Sequence, residues 1–191
     1  MSDELLLERA KGGDLAAFDE LYERHRNAVF RFAYRLLGSV ETAEDVTHDC
    51  FLGLIRRPGG FEPSRSGFRT YLYAAARNLC LKDFRSSART GSFDELTNEP
   101  TGPAREQPLH RLLDGELSQK VREAVMGLPP LQREALVLFE YEGLALSEIA
   151  DIVGSDIGAV KARLHRAREG LRTTLRPYLN SALEIATLEK P

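Results

Sequence analysis

The segment LALSEIADIVGSDIGAVKARLHRAREGL, residues 144–171, decides the fold because it has the pattern of two helices joined by a tight turn at Gly154. Its second half carries apolar residues at helical spacing, namely Ile157, Val160, Leu164, Ala167 and Leu171. That stripe predicts a helix with one face against a core. Asp156 precedes the stripe, where a carboxylate can cap the helix and suits the positive end of its dipole. The segment therefore predicts a helix-turn-helix.

The opposite face of the second predicted helix mixes small residues with basic ones. It carries Gly158, Ala159, Ala162, His165 and Arg166, and its flanks carry Lys161, Arg163, Arg168 and Arg172. Small side chains let a helix approach base edges in a major groove, while arginine and lysine bind guanine and phosphates. A basic face exposed only to solvent is the alternative. The short helix before the turn favours DNA binding.

The composition is that of a globular protein of 191 residues, 42% of them apolar, with a net charge of -3. Residues 65–89 and 161–176 each carry six basic residues and one acid, whereas residues 41–49 carry four acids and no lysine or arginine. Distant acids weaken the attraction of a free chain for DNA, so we expect tight binding to need a larger partner. No run of about 18 apolar residues is present, and we expect a cytoplasmic protein without membrane insertion.

The first half of the chain has the periodicity of three amphipathic helices, over residues 14–37, 40–57 and 66–89. The second of these is expected to bury Ala43, Val46, Cys50 and Leu54. Its exposed side is then an acidic strip of Glu44, Asp45, His48 and Asp49. From the pattern alone, this strip is either a solvated face, which is the commoner case, or a docking surface for a basic partner.

The third predicted helix combines an apolar stripe with a basic and aromatic side. The stripe comprises Phe68, Leu72, Ala75 and Leu79, and the other side carries Arg69, Tyr73, Arg77, Asn78, Lys82 and Arg85, with Tyr71 at the margin. Cations follow phosphates and aromatic rings stack on unpaired bases, so this helix is a candidate for binding single-stranded nucleic acid. The alternative is that both tyrosines belong to the edge of the core.

Residues 90–115 contain proline and glycine among polar residues, without helical periodicity, and predict a flexible linker. We therefore predict an all-α chain of two small helical domains, residues 1–89 and 116–176, the second containing the helix-turn-helix. Two further helices, over residues 117–127 and 131–142, are expected before that motif. The remaining tail, residues 177–191, has apolar residues at helical spacing and is either a last packed turn or a partner-binding segment.

Short motifs in both halves match one known family. In the first half they are AEDVTHDCFL at residues 43–52, FRTYLY at 68–73, ARNL at 76–79 and DFR at 83–85. In the second half they are LP at 128–129, RE at 133–134, EGL at 142–144, EIA at 148–150 and VKARLHRAR at 160–168. With these motifs in this order on both sides of a linker, the chain resembles the extracytoplasmic-function sigma factors, the promoter-recognition subunits of bacterial RNA polymerase.

The resemblance implies a non-catalytic initiation subunit that binds core polymerase, selects promoters and nucleates melting, in a stress or envelope response. It assigns docking on the clamp coiled coil of the polymerase to Glu44, Asp45 and Asp49, and implies a second contact with the polymerase flap. It assigns the minus-ten element to Phe61, Ser64, Arg65, Arg69, Tyr71, Tyr73, Arg77, Asn78, Lys82 and Arg85, with a flipped base held near residues 61–67. It assigns the minus-thirty-five duplex to Ser155, Asp156, Gly158, Ala159, Lys161, Ala162, Arg163, His165 and Arg166. An inhibitory anti-sigma factor is a further implied partner.

The chain departs from the family pattern at Ala145, where relatives carry a capping serine or threonine, and Ser147 is the expected substitute cap. It also has no tryptophan, so that stacking during strand opening would depend on tyrosine or phenylalanine. The alternative function is a stand-alone helix-turn-helix regulator that binds DNA without polymerase. The first half of the chain argues against this alternative, because such a regulator has no use for an acidic docking helix followed by a basic aromatic one.

No catalytic, metal or cofactor site is expected. His48, Asp49 and Cys50 are adjacent in sequence, but neighbouring residues on a helix point about 100° apart and do not converge. Cys50 and Cys80 lack the spacing of metal ligands. We expect them to be buried thiols in a reducing compartment, with redox sensing as the alternative.

Overall fold

The computed structural model describes residues 1–56, 60–62, 66–90 and 108–188, with side chains given except at residues 85–90, 108–116 and 179–188. The regular structure of this part is helical: α1 Asp3–Lys11, α2 Leu15–Leu37, α3 Val40–Arg56, α4 Phe68–Thr90, α5 Pro108–Met126, α6 Pro130–Leu136, α7 Leu146–Val153 and α8 Ile157–Leu188. Helix α6 continues into a π-helical turn, Val137–Tyr141. The predicted all-α fold of two helical domains is confirmed.

Helices α1 to α4 form the first unit. Helix α2 packs against α1, α3 and α4, and it ends at Gly38, whose φ of +79° allows the turn into α3. The inward face of α3 is as predicted, with Ala43, Val46, Cys50 and Leu54 all buried. Apolar periodicity therefore determined how this helix is oriented on the core.

Helix α4 is buried on two sides rather than one. Phe68 and Leu72 are buried as predicted, but the fully buried set also includes Tyr73, Ala76 and Cys80. The expectation that Tyr73 lies on the surface is wrong, because α7 and the turn before it cover that side of α4. Helix α4 thus belongs to the first unit and also packs against the second.

Helices α5 to α8 form the second unit, in which α8 packs against α5, α6 and α7. The expectation that residues 108–115 lack helical structure is wrong, since α5 begins at Pro108. A proline suits the first turn of a helix because its missing N–H would have no intrahelical partner there. The rest of the predicted linker, residues 91–107, lies outside the described residues.

The buried guanidinium of Arg133 joins the second unit to the first. It donates from Nη1 to the carbonyl oxygen of Leu36 at 2.6 Å, and from Nη2 to those of Leu128, at 3.1 Å, and Met126. Burial lowers the pKa of Arg133. The three carbonyls lie at or just past the ends of α2 and α5, where no intrahelical donor remains for them.

In the helix-turn-helix, the predicted turn at Gly154 and the predicted Asp156 cap of the second helix are both present. Helix α7 ends at Gly154 with φ +64°, and Asp156 Oδ1 accepts from the Ala159 N–H at 2.8 Å. Helix α7 begins two residues earlier than a Ser147 cap requires: Ala145 is at the N-cap position, and Glu148 accepts its N–H at 2.8 Å. The prediction of Ser147 as cap is therefore wrong, because Ser147 lies inside the helix and the N-cap position is Ala145, whose side chain has no acceptor.

Two further predictions about α8 need correction. Ile157, expected in the buried stripe, is 43% exposed because it is the first residue of the helix and projects past the core. The helix also does not end near residue 171 but continues through Pro177 to Leu188. Proline in a helix interior removes one backbone hydrogen bond, and here the helix continues beyond it. No helix in the described part of the chain has the length and apolarity to span a bilayer.

We predict opposite effects for alanine at two glycines. At Gly154 a Cβ would meet no atom within 4 Å but would stand on left-handed backbone, so Gly154→Ala should lower the free energy of unfolding by about 1 kcal/mol. At Gly53, inside α3, there is equal room and no positive φ, so Gly53→Ala should raise it by about 0.5–1 kcal/mol. Urea unfolding followed by circular dichroism measures both. Equal effects of the two changes would contradict the assigned turn geometry.

Candidate nucleic-acid and polymerase interfaces

The acidic strip on α3 faces away from the core. Glu44, Asp45, His48 and Asp49 are all exposed, and Cys50 beside them is 2% exposed. Among the described residues no cation forms an ion pair with Glu44, Asp45 or Asp49. Three carboxylates on one helical face, without a partner among the described residues, form a surface whose negative charge is available to another molecule.

The outward face of α8 carries the predicted small and basic residues. Asp156, Gly158, Lys161, His165 and Arg166 are exposed, while Ser155, Ala159, Ala162 and Arg163 are half-buried. A Cβ at Gly158 would lie 2.9 Å from the Asp156 Oδ1 that caps the helix. Glycine there therefore preserves the cap and leaves the start of the helix open to a close approach.

Cations on the flank of α8 are partly neutralised within the unit. Arg168 donates to Glu140 from Nε at 3.1 Å and from Nη2 at 2.6 Å, and its guanidinium lies over the ring of Phe139. Arg172 pairs with Glu169 one turn away. The predicted face thus depends on Lys161, His165 and Arg166 rather than on its whole basic flank.

The basic and aromatic side of α4 is divided between contact with the second unit and solvent. Arg77 forms an ion pair with Glu134, in which its Nη2 lies 3.4 Å from Oε2 and its Nε lies closer to Oε1. The Tyr73 hydroxyl donates to Glu142 Oε2, and Arg69 Nη2 donates to the Glu142 carbonyl oxygen. Asn78 and Lys82 remain exposed.

The segment before α4 contributes an aromatic cluster. Phe61 is 7% exposed, with its ring centroid 5.6 Å from that of Phe68 and 5.3 Å from that of Tyr71. Phe61 therefore packs against the half-buried Tyr71, and its own ring is buried rather than exposed to solvent. Ser64, Arg65 and the side chain of Arg85 lie outside the described residues.

Glu142 collects several contacts between the units. Besides Tyr73, its carboxylate faces Arg35, whose Nη1 lies 3.5 Å from Oε1 and whose guanidinium lies 4.4 Å from the ring centroid of Tyr141. Burial raises the pKa of Tyr73 most, and the hydrogen bond to Glu142 raises it further. A second acid of this unit also takes part: the Thr70 hydroxyl donates a hydrogen bond to Glu148 Oε1 at 3.2 Å. Sequence reasoning missed these acids, although Glu134, Glu142 and Glu148 each lie in a motif quoted above.

Comparison with known proteins identifies both halves. Residues 21–90 match the model of sigma-70 region 2, and residues 118–171 match that of sigma-70 region 4. The chain is 33% identical to the ECF RNA polymerase sigma factor SigE of Mycolicibacterium smegmatis, over 91% of this chain and 68% of that protein. It is 30% identical to SigW of Bacillus subtilis, over 89% and 95%, and 30% identical to the sigma-E factor of Escherichia coli K12, over 94% and 97%.

Two solved structures share the fold. One is the sigma factor RpoE in complex with the anti-sigma factor NepR from Bartonella quintana, with a TM-score of 0.67 and 27% identity over 83% of this chain and 96% of that one. The other is CnrH in complex with the cytosolic domain of CnrY, with a TM-score of 0.67 and 26% identity over 92% and 97%.

The two cysteines lie in the interior of the first unit. Burial raises the pKa of Cys50 and of Cys80 to about 12, and Cys50 Sγ lies 3.7 Å from the Leu72 carbonyl oxygen. Cys50 points inward whereas His48 and Asp49 are exposed, so these three side chains do not converge. Thiols of this kind are protonated at neutral pH and react slowly, because the thiolate is the nucleophile.

We predict that both thiols stay unmodified in the folded protein. At pH 8 a thiol-specific reagent such as DTNB should react with neither cysteine on the time scale on which it reacts with a free thiol, and with both after unfolding in urea. Their pKa values lie above the usual 9.0, so labelling should accelerate only as the pH rises toward 12. Rapid reaction of one cysteine at pH 8 would instead favour a redox role.

Proposed function

We propose, given that the chain belongs to the extracytoplasmic-function sigma factors of the sigma-70 family, that three of its surfaces divide the work of transcription initiation. The acidic strip on α3 docks on core RNA polymerase, α4 with the loop before it binds the minus-ten element, and the outward face of α8 binds the minus-thirty-five element. The protein itself catalyses no reaction. It acts in the cytoplasm, where core polymerase is available to it.

The observation that carries this proposal is the acidic strip. Glu44, Asp45 and Asp49 are exposed and pair with no described cation, and helical periodicity holds them on one side of α3. A surface of this kind complements a basic helix, such as the clamp coiled coil of the polymerase. A stand-alone regulator that binds only DNA gains nothing from it, because the strip repels phosphates.

The outward face of α8 suits duplex DNA in a major groove. Arg166 and His165 offer hydrogen-bond donors at exposed positions, and Gly158 lets the start of the helix approach the bases. Ala159 and Ala162 contribute methyl contacts, which suit thymine. Lys161, at the edge of this face, is placed to bind phosphate.

The minus-ten surface comprises α4 and the cluster before it. Asn78 and Lys82 are already exposed, and Tyr71 stands on Phe61 at the margin of the core. A flipped non-template base would stack there, with the cations of α4 following the backbone. Arg69, Tyr73 and Arg77 join this surface only when they separate from the second unit.

An anti-sigma factor is a proposed partner of this chain. The structural relative RpoE was solved in complex with the anti-sigma factor NepR, and this chain shares its fold over 83% of its length. Purification of the tagged chain from its native host, with identification of bound proteins by mass spectrometry, tests this. Repeated recovery of the chain without a stoichiometric inhibitor would count against it.

Charge reversal on α3 should separate polymerase binding from DNA binding. The triple change Glu44→Lys, Asp45→Lys and Asp49→Lys should weaken binding to core polymerase by roughly tenfold or more, because each change turns an attraction into a repulsion. The matched control is Asp19→Lys, an exposed acid on α2, which should bind as wild type does. Fluorescence anisotropy of labelled chain titrated with core polymerase measures this, and unchanged affinity of the triple variant would refute the docking assignment.

Substitutions on α8 should distinguish base recognition from phosphate binding. In holoenzyme, Arg166→Ala should lose about 1–3 kcal/mol of discrimination between the cognate minus-thirty-five duplex and mutated ones. Lys161→Ala should weaken binding to all duplexes alike and reduce the slope of log affinity against log salt by about 1. Competition binding at several salt concentrations provides both numbers. Loss of discrimination on changing Lys161 but not Arg166 would reverse the two roles.

A further inference from the structure

Helix α1 precedes the part of the chain that matches sigma-70 region 2, since that match begins at residue 21. It is nevertheless held against α2. Leu6 and Leu7 are buried in the core of the first unit, and Asp3 Oδ1 accepts a hydrogen bond from Arg24 Nη1 at 2.6 Å. The start of α1 is thus positioned by apolar packing and by an ion pair with α2.

The other carboxylate oxygen of Asp3 binds a histidine of α2. His25 Nε2 lies 2.8 Å from Asp3 Oδ2, and the two side chains are only 15% and 22% exposed. An ionised carboxylate can only accept a hydrogen bond, so Nε2 carries a proton and donates it to Asp3. This bond determines how the imidazole ring of His25 is oriented.

The same imidazole ring contacts the aromatic cluster at the start of α4. The centroid of His25 lies 5.3 Å from that of Phe68, edge to face, with the ring planes inclined at 61°. Phe68 contacts Phe61 at 5.6 Å between centroids, and Phe61 contacts Tyr71 at 5.3 Å. The four rings therefore form one row, which begins at the histidine bound to α1 and ends at Tyr71.

Phe68 is the member of this row through which a support can act. It is the first residue of α4 and is 2% exposed, so its position also fixes where the helix starts after the preceding loop. An aliphatic neighbour would fill the space beside Phe68 without fixing a direction. An imidazole ring oriented by Asp3 gives Phe68 a contact of defined geometry, because edge-to-face pairs depend on the angle between the rings.

We propose that Asp3 and His25 are positioning residues, which hold the row of Phe68, Phe61 and Tyr71 in the place where a flipped minus-ten base stacks. The proposal rests on the assignment of that base to this cluster under the proposed function. Asp3 and His25 act through Phe68 and do not touch the DNA. A stacking surface that is already rigid loses little conformational freedom when the base binds, so the support tightens binding of that base.

Binding of holoenzyme to a labelled non-template single strand tests this, with fluorescence anisotropy as the measurement. The strand carries the minus-ten element of a promoter that wild-type holoenzyme opens. A second strand lacks one base, the one whose removal weakens wild-type binding most. His25→Ala should weaken binding to the intact strand roughly fivefold and to the abasic strand by less than about twofold, because the two changes remove the same interaction. A merely structural role would change both affinities by the same factor.

Further variants separate the ring from the hydrogen bond. His25→Phe keeps a ring beside Phe68 but cannot donate to Asp3, whereas His25→Gln keeps a donor without the ring. Each should show a preference for the intact strand between those of wild type and His25→Ala, and these two variants carry the test if His25→Ala fails to fold by circular dichroism. Asp3→Ala should lower the preference about twofold. The matched control Asp19→Ala, at an exposed acid on α2, should leave it unchanged.

Tyr71→Ala distinguishes failure of this proposal from failure of the proposed function. It should abolish most of the preference for the intact strand, because it removes a ring on which the base stacks. An unchanged preference in Tyr71→Ala would overturn the assignment of the base to this cluster, and the positioning role with it. Loss of preference in Tyr71→Ala, together with a wild-type preference in every folded variant of His25, would overturn the positioning role alone.

Discussion

The arrangement of this protein depends on the burial of cations and a phenol along α4. An unpaired charge in the interior is costly, and a buried polar group needs a hydrogen-bond partner. Helix α4 brings Arg77 and Tyr73 into the contact between the two units, and the second unit supplies Glu134 and Glu142 opposite them. The relative position of the units is therefore set by specific polar pairs as well as by apolar packing, and Arg133 adds its own bond to the Leu36 carbonyl.

Charge placement then accounts for how a chain with a net charge of -3 can serve promoter recognition. A group of exposed acids without a described cation partner lies on α3, away from the faces proposed to bind DNA. Several of the cations are balanced within the chain, among them Arg77 by Glu134 and Arg168 by Glu140. What remains available on α8 is a small set of exposed donors. We therefore expect such a chain to attract DNA weakly alone and to depend on polymerase to bring its surfaces to a promoter.

Local pattern predicted much of this structure and none of the contacts between the units. Asp156 as a cap, the turn at Gly154 and the inward face of α3 follow from signals within a few residues of each other. Arg77 and Glu134 are 57 residues apart, and Tyr73 and Glu142 are 69 apart, so no periodicity links them. The same limitation explains why the apolar stripe of α4 was predicted on one side only. At Ile157 the pattern predicted burial that the structure does not have. Its spacing fits the apolar stripe of α8, but the core does not extend to the first residue of that helix.

The pairing of Arg77 with Glu134 has an energetic logic. A guanidinium that binds phosphate well is also one that cannot be buried without an acidic partner, so any closed form of α4 must offer acids to it. Exchanging the Glu134 carboxylate for a phosphate would keep one ion pair on Arg77. An apolar cover over α4 would have left the guanidinium of Arg77 buried without a partner.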